Sequence, residues 1–253
     1  MATQDDIGAP SPLTSSALAA IRRTSAVDTV RARISLAVDL GLLAPGERLP
    51  NVQATAAALG VGEITVRRAF TALEREGVVQ RRPGRSGGTF VADQPRRQTV
   101  AEVAAYQQDS ERVHRLIDER VVLEVGFAHL AADRLDQAGL DGLDRCIKEM
   151  DEAESWAEFH AADERFHVGI ARGAGMPSAL VMYERVVKEL YLYFLPYPMS
   201  YLRCSNDEHK HIRAALATHD AALAARLIKE HIAQLHQTMY VGFAHSADQD
   251  IDG

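Results

Sequence analysis

One stretch of the second half, residues 153–173 (AESWAEFHAADERFHVGIARG), holds residues able to bind a metal at helical spacing. Asp163 and His167 stand four apart, so on a helix they project side by side. They fall at the edge of an apolar stripe made by Trp156, Phe159, Phe166 and Ile170, where an ionisable group needs a partner. Further on, His209 shares a helical face with Ile212 and Leu216, and His231 sits between Leu227 and Leu235. Three helices thus aim one carboxylate and three imidazoles at one interior, which is a metal-ligand set. Nitrogen and oxygen donors without thiolate suit Zn²⁺, Ni²⁺, Co²⁺, Mn²⁺ or Fe²⁺, and a five- or six-coordinate ion keeps positions for water or a carboxylate. Of the other histidines, His114, His129, His211, His219, His236 and His245 read as ordinary core or surface residues, and His160 as a possible support for the ligands.

A second chemistry lies between Leu49 and Val91. Val66, Ala69, Phe70 and Leu73 form one side of a helix, which leaves Ile64, Arg67, Arg68 and Thr71 facing outward. Ahead of it, 54–59 is helix-compatible, and Leu59-Gly60-Val61-Gly62 makes a tight turn around a valine expected to be buried. After Gly77 come two β-rich arms, Val78-Val79 and Thr89-Phe90-Val91. They flank Arg81, Arg82, Pro83, Gly84, Arg85, Gly87 and Gly88. Helix, turn, helix and a basic glycine-rich wing in that order read as a winged helix. The exposed helix suits the major groove, and arginines among glycines suit phosphates. The candidate DNA contacts are Gln53, Glu63, Ile64, Thr65, Arg67 and Arg68 on the helices and Arg81, Arg82, Arg85 and Gly87 in the wing.

The elements that must carry these residues divide the chain in two. Residues 1–97 hold 13 Arg and no Lys against 9 acidic residues, a net of +4, while the rest holds 15 basic against 26 acidic, a net of −11. A basic front suits DNA, which would repel an acidic rear. Ser25 and Asp28 cap a first helix running to about Leu40. The expected units are a flexible tail over 1–20, a winged helix-turn-helix over 21–92, a linker over 93–101, an antiparallel helical bundle over 102–245 and a tail over 246–253. Bundle helices are expected at about 108–135, 139–151, 153–172, 178–194, 205–217 and 219–243. Breaks fall at Gly173, Gly175, Pro196, Pro198 and Thr218. The fold class is mainly α. Composition, at 47% hydrophobic and 25% charged, is that of an ordinary globular protein. The lack of an export signal or a long apolar run gives a cytoplasmic expectation with no membrane partner. Cys146 and Cys204 lack metal or disulfide spacing and read as interior fillers.

Together the halves, over about residues 26–245, resemble the GntR superfamily of bacterial transcription regulators, in particular its FadR subgroup with an FCD-type ligand domain. The front resemblance rests on Pro45, Gly46, Leu49, Pro50, Ala56, Leu59, Gly60, Val61, Val66, Arg67 and Ala69, and on a wing ending Gly88-x-Phe90-Val91. The rear resemblance rests on Asp163-x3-His167, His209 in EHKHIRAAL, and His231 after Glu230. It implies a homodimer whose grip on an operator changes when a small organic acid binds the bundle, often through a metal. The family's Arg-x3-Glu pattern falls on Arg120 and Glu124. It makes Arg120 the candidate effector anchor, against the alternative of a surface salt bridge with Asp118 or Glu124.

The departures point to an atypical operator and pocket. Gly62 and Glu63 replace the family's serine and arginine at the start of the recognition helix, and Gln53 and Arg68 also differ. Glu63 has the chemistry to accept from a cytosine amino group and Ile64 to touch a thymine methyl. Met176 stands where an asparagine often orders a helix start. The expected function is a ligand-responsive DNA-binding regulator, a repressor in sign. The alternatives are a metal-dependent hydrolase with an accessory DNA-binding domain, opposed by the absence of HExxH, or a DNA-binding protein with a purely structural metal.

Overall fold

The computed structural model describes residues 25–84, 87–96 and 110–239. The expected tails and most of the expected linker lie outside them, as do Arg85 and His245.

Three helices and a hairpin make the N-terminal unit. Helix α1 (Ala26–Asp39) starts at Ser25, whose hydroxyl accepts from the Asp28 N–H at 3.2 Å. Helix α2 (Val52–Leu59) starts at Asn51, whose side chain accepts from Ala54 N–H, and ends at Gly60 with φ 66°. Helix α3 (Glu63–Glu76) starts at Gly62 with no side-chain cap and stops at Gly77 with φ 75°. Strands β1 (Val79–Arg82) and β2 (Gly88–Val91) pair antiparallel, with Val79 opposite Val91 and Arg82 opposite Gly88. Gln80, Arg81 and Arg82 thus extend the first strand, where the sequence reading kept the two arginines in the wing loop. Val30, Ile34, Leu59, Val66, Phe70, Leu73 and Val91 fill the core. Val61 is only half-buried, a correction to its expected burial.

Six longer helices and one short turn form the bundle: α4 (Ser110–Arg134), α5 (Gln137–Glu152), α6 (Trp156–Gly173), α7 (Pro177–Leu190), α8 (Met199–Ala217), α9 (Ala221–Ala233) and α10 (Leu235–Thr238). Three boundaries differ from expectation. Helix α7 tightens into a 3₁₀ turn at Tyr191–Tyr193 and Phe194 goes extended, and the next residue, Leu195, is itself kept out of the α conformation by Pro196. Helix α8 begins at Met199, six residues before the expected 205, because Pro198 serves as its N-cap rather than as a distant breaker. The expected 219–243 helix starts only after His219 turns left-handed at φ 55° and Asp220 caps Leu223 N–H, and it is interrupted at Gln234. Cys146 is buried as expected, whereas Cys204 is exposed.

The two units pack together. Helix α2 lies on α6, and Trp156 and Ala157 of α6 complete the core of the N-terminal unit. From α1, the buried Arg33 donates to the Phe194 carbonyl at 2.5 Å and the Leu59 carbonyl at 3.4 Å. Phe70, 2% exposed, is the largest apolar side chain that the N-terminal unit itself contributes to this core. Phe70→Ala is expected to lower stability by about 3–5 kcal/mol, read by denaturant unfolding of the whole chain.

Candidate metal centre and nucleic-acid interface

Helices α6, α8 and α9 bring Asp163, His167, His209 and His231 into one cluster, with ligand atoms all within 4.8 Å of one another. Ser155 fixes the start of α6 by accepting from Glu158 N–H, and two turns further on Asp163 and His167 emerge side by side. His209 Nε2 lies 3.3 Å from Asp163 Oδ1 and 3.0 Å from His231 Nε2, and His167 Nε2 lies 3.7 Å from Asp163 Oδ1.

Three oxygen acceptors decide which way the imidazoles face. His167 Nδ1–H donates to Glu124 Oε2 at 2.7 Å, and His231 Nδ1–H donates to Glu208 Oε2 at 2.7 Å. Asn206 spends its amide nitrogen on the Ile147 carbonyl and Asp151, so its oxygen is left to face His209 Nδ1 at 3.3 Å. With each Nδ1 turned to its acceptor, each Nε2 faces the same point, and on a neutral ring it is a lone pair; His167 would give up its second proton to an ion. No hydrogen bond joins two such lone pairs, and His167 Nε2 is buried with no partner. Donors around one ion at about 2.0–2.2 Å sit roughly 3–4 Å apart, so a small contraction of this set seats a divalent transition ion.

The charges agree with that arrangement. Burial and the neighbouring His231 press His209 well below its ordinary range, keeping it neutral. Burial would raise the Asp163 carboxyl, but His167, His209 and Arg120 hold it well below the usual carboxylate range. Burial opposes a charge on His167, yet Glu124 and Asp163 outweigh it and push His167 up to about 9 without an ion. The cluster therefore attracts positive charge.

Arg120 and Glu124 stand behind it on α4, 2% and 3% exposed, with Arg120 Nε donating to Glu124 Oε1 at 2.6 Å. Tyr183 Oη donates to the same oxygen at 2.9 Å. The Arg120–Glu124 pair of the sequence reading exists, but it is buried, not a surface salt bridge. Arg120 also lines a cavity of about 70 Å³ together with Asp163, His167 and His231. His160 lines that cavity too and packs against Tyr191 and Phe194, and burial presses its pKa down to about 4.

In the N-terminal unit, α3 presents Glu63, Ile64, Arg67, Arg68 and Thr71 to solvent, with Ile64 68% exposed. Arg67 pairs with Glu63 at 2.8 Å, which also places a carboxylate in the helix's first turn. In the wing, Arg81 donates to Thr71 and lies near Glu74, and Arg82 stacks over Phe90 at 4.3 Å and reaches Asp93. Arg68 makes no ion pair among the described residues. Gln53 is exposed on α2 and Thr65 half-buried. Gly87 is obligatory, because a Cβ there would meet the Arg82 carbonyl, and its own carbonyl accepts from Arg48 at 2.9 Å.

Residues 26–91 match the bacterial regulatory proteins of the gntR family, and residues 98–234 match the FCD domain. The chain belongs to the GntR family. This GntR-family protein is 30% identical over 247 residues to RmpR of Mycobacterium gastri, which bears the name of an HTH-type transcriptional regulator; the match covers 94% of this chain and 90% of RmpR. It is 28% identical over 211 residues to the HTH-type transcriptional regulator LutR of Bacillus subtilis, covering 79% of this chain and 94% of LutR. Among solved structures it is similar to E. coli McbR/YncC, at 19% identity and a TM-score of 0.44, over 87% of this chain and 99% of that one. It is thus a ligand-responsive transcription regulator of the GntR family with an FCD effector-binding domain.

Within this regulator, sequence reasoning missed Glu208 and Asn206 and gave Glu124 no part in orienting His167. Glu208 lies next to His209 in sequence, but its carboxylate serves His231 on another helix. The regulator's Met176 is the N-cap of α7 and gives it no side-chain cap, as its apolar side chain dictates. Glu124→Gln would leave the Arg120 guanidinium buried without a charged partner on its own helix. A loss of about 3–5 kcal/mol in the stability of the metal-free protein is expected, measured by chemical denaturation.

Proposed function

We propose that this chain is a homodimeric repressor that binds a pseudo-palindromic operator and is switched by a small organic acid at a divalent metal held by Asp163, His167, His209 and His231. One observation carries the metal: three Nε2 lone pairs and a carboxylate converge while Glu124, Asn206 and Glu208 occupy the other imidazole nitrogens. A divalent ion with Asp163 as its one carboxylate ligand keeps a net positive charge on its own ligand set, and behind it Arg120 balances Glu124 while the Glu208 carboxylate stays partly exposed to solvent. An organic acid anion is the complement of such a site, and Arg120 on the cavity wall is its second cationic contact. The metal supplies the acid with a positive coordination point; Zn²⁺ is the ion expected in purified protein, with Ni²⁺, Mn²⁺, Co²⁺ and Fe²⁺ compatible.

Residues 21–92 form the DNA-reading unit and 102–245 the effector and dimerisation unit, acting in the cytoplasm. No helix among the described residues is long and apolar enough to cross a membrane. Exposed apolar Val122 on α4 and Val181 and Met182 on α7, two helices in contact, support these helices as the ones a second copy covers. Two recognition helices then enter successive major grooves. Base contacts fall to Gln53, Glu63, Ile64 and Thr65. Arg67, Arg68, Arg81, Arg82, Arg85 and the Gly87 backbone supply phosphate contacts. A coupling of about 1–3 kcal/mol between acid and DNA makes a working switch.

Elemental analysis and melting curves of wild type beside His209→Ala, screened against small carboxylic acids, test the proposal. The expected result is about one bound transition ion per chain, lost in His209→Ala and under a chelator, and an acid that raises the melting temperature only in wild type. Wild type purified without metal, and unable to take one up, sinks it. A metal without any acid-dependent change in DNA affinity would leave a structural ion. On the DNA side, Arg82→Ala is expected to weaken binding across operator sequences and to reduce the slope of log affinity against log salt by about 1. An unchanged slope in a binding titration removes Arg82 from the phosphate contacts.

A further inference from the structure

Trp156, the chain's single tryptophan, opens α6 and is 7% exposed. Its indole lines the cavity that holds Asp163, His167, His231 and Arg120, and its Nε1–H is buried with no acceptor. Native interiors rarely leave such a donor unpaired, and an orphan on a cavity wall points to a ligand atom that pairs it. Trp156 and Asp163 are seven residues apart, two turns along one face of α6, so the indole and the metal ligands mark separate ends of one cavity. Phe159, Phe194 and Leu202 line it with apolar surface, and Arg33 brings a guanidinium from α1 to the same wall.

We propose that the Trp156 indole N–H is a second recognition point of this cavity, so that its ligand is a short dicarboxylate with one carboxylate at the Asp163–His cluster and the other accepting from Trp156. This rests on the reading of the cluster as an acid site. The metal end selects any carboxylate; the indole end selects acids that carry a second one. The positive Arg33 beside the cavity favours a charged acceptor over a neutral carbonyl or hydroxyl. Because Trp156 also belongs to the core of the DNA-reading unit, the cluster that holds Val30 and Phe70, the second carboxylate touches a side chain through which the bundle meets that unit.

The test uses full-length, Zn²⁺-loaded protein and calorimetric titration with succinate, glutarate and adipate beside butyrate, pentanoate and hexanoate. At least one dicarboxylate is expected to bind about 10-fold or more tightly than the monocarboxylate of its own length, the scale of a hydrogen bond to a charged group. In Trp156→Phe, which keeps an aromatic ring but lacks the N–H, that ratio is expected to fall below about 2-fold, with zinc content and monocarboxylate affinity retained. Reading a ratio cancels any general weakening of the fold. The wild-type emission spectrum, which comes from Trp156 alone among tryptophans, is expected to shift with the preferred dicarboxylate and not with its monocarboxylate.

A ratio equal in wild type and Trp156→Phe overturns the role of Trp156 while leaving the acid site standing. Failure of every acid to bind zinc-loaded wild type removes the acid site and this proposal with it. Should Trp156→Phe not fold, wild type decides: equal affinity for the two series, or an unmoved emission spectrum, overturns the proposal.

Discussion

The buried ion pair between Arg120 and Glu124 is the constraint around which the bundle interior is arranged. A carboxylate this deep is sustainable only with its charge balanced and its lone pairs used, and Glu124 meets both demands. One oxygen takes Arg120 Nε and the Tyr183 hydroxyl, and the other takes His167 Nδ1–H. Burial alone would raise the Glu124 carboxyl; Arg120 and then His167 hold it far below its ordinary range. The same contacts join α4 to α6 and α7 and fix the ring plane of His167. Packing and ligand geometry are here one set of bonds.

The same logic recurs at the other two imidazoles with different acceptors. Asn206 ties α8 to α5 through its amide nitrogen, and that use determines which of its atoms His209 meets. Glu208 divides its oxygens between His231 and Gln234, holding α9 at the point where the helix is interrupted. Each imidazole is therefore aimed by a residue that also fastens two helices. Deforming the bundle moves the Nε2 atoms, and drawing those atoms together pulls on the helix contacts. A ligand at the cluster acts on the fold through these bonds.

Much of this was legible in the residues. Helical spacing alone put Asp163 and His167 on one edge, and apolar neighbours placed His209 and His231 facing inward. Hydrophobic periodicity likewise separated Val66, Phe70 and Leu73 from the outward Arg67 and Arg68. The orienting acceptors were not legible, because Glu124, Asn206 and Glu208 meet histidines on other helices or use atoms that only the packed arrangement assigns. The helix edges near Pro198 and Gln234 failed for a related reason. A proline reads as a stop when its position is judged from one side, yet Pro198 begins the helix that carries His209. The strand arginines were misplaced because glycine and arginine in PGRSGG mark a loop, while backbone pairing with Gly88 carries β1 on to Arg82.

Trp156 and Ala157 fill the hydrophobic centre of the DNA-reading unit although they belong to a helix of the other one. The border between the two is therefore a border of sequence and not of packing. This DNA-reading segment, moved onto another bundle, would carry a hole where the indole belongs, unless the first turn of α6 travelled with it. A cut placed in the linker separates two surfaces shaped against each other.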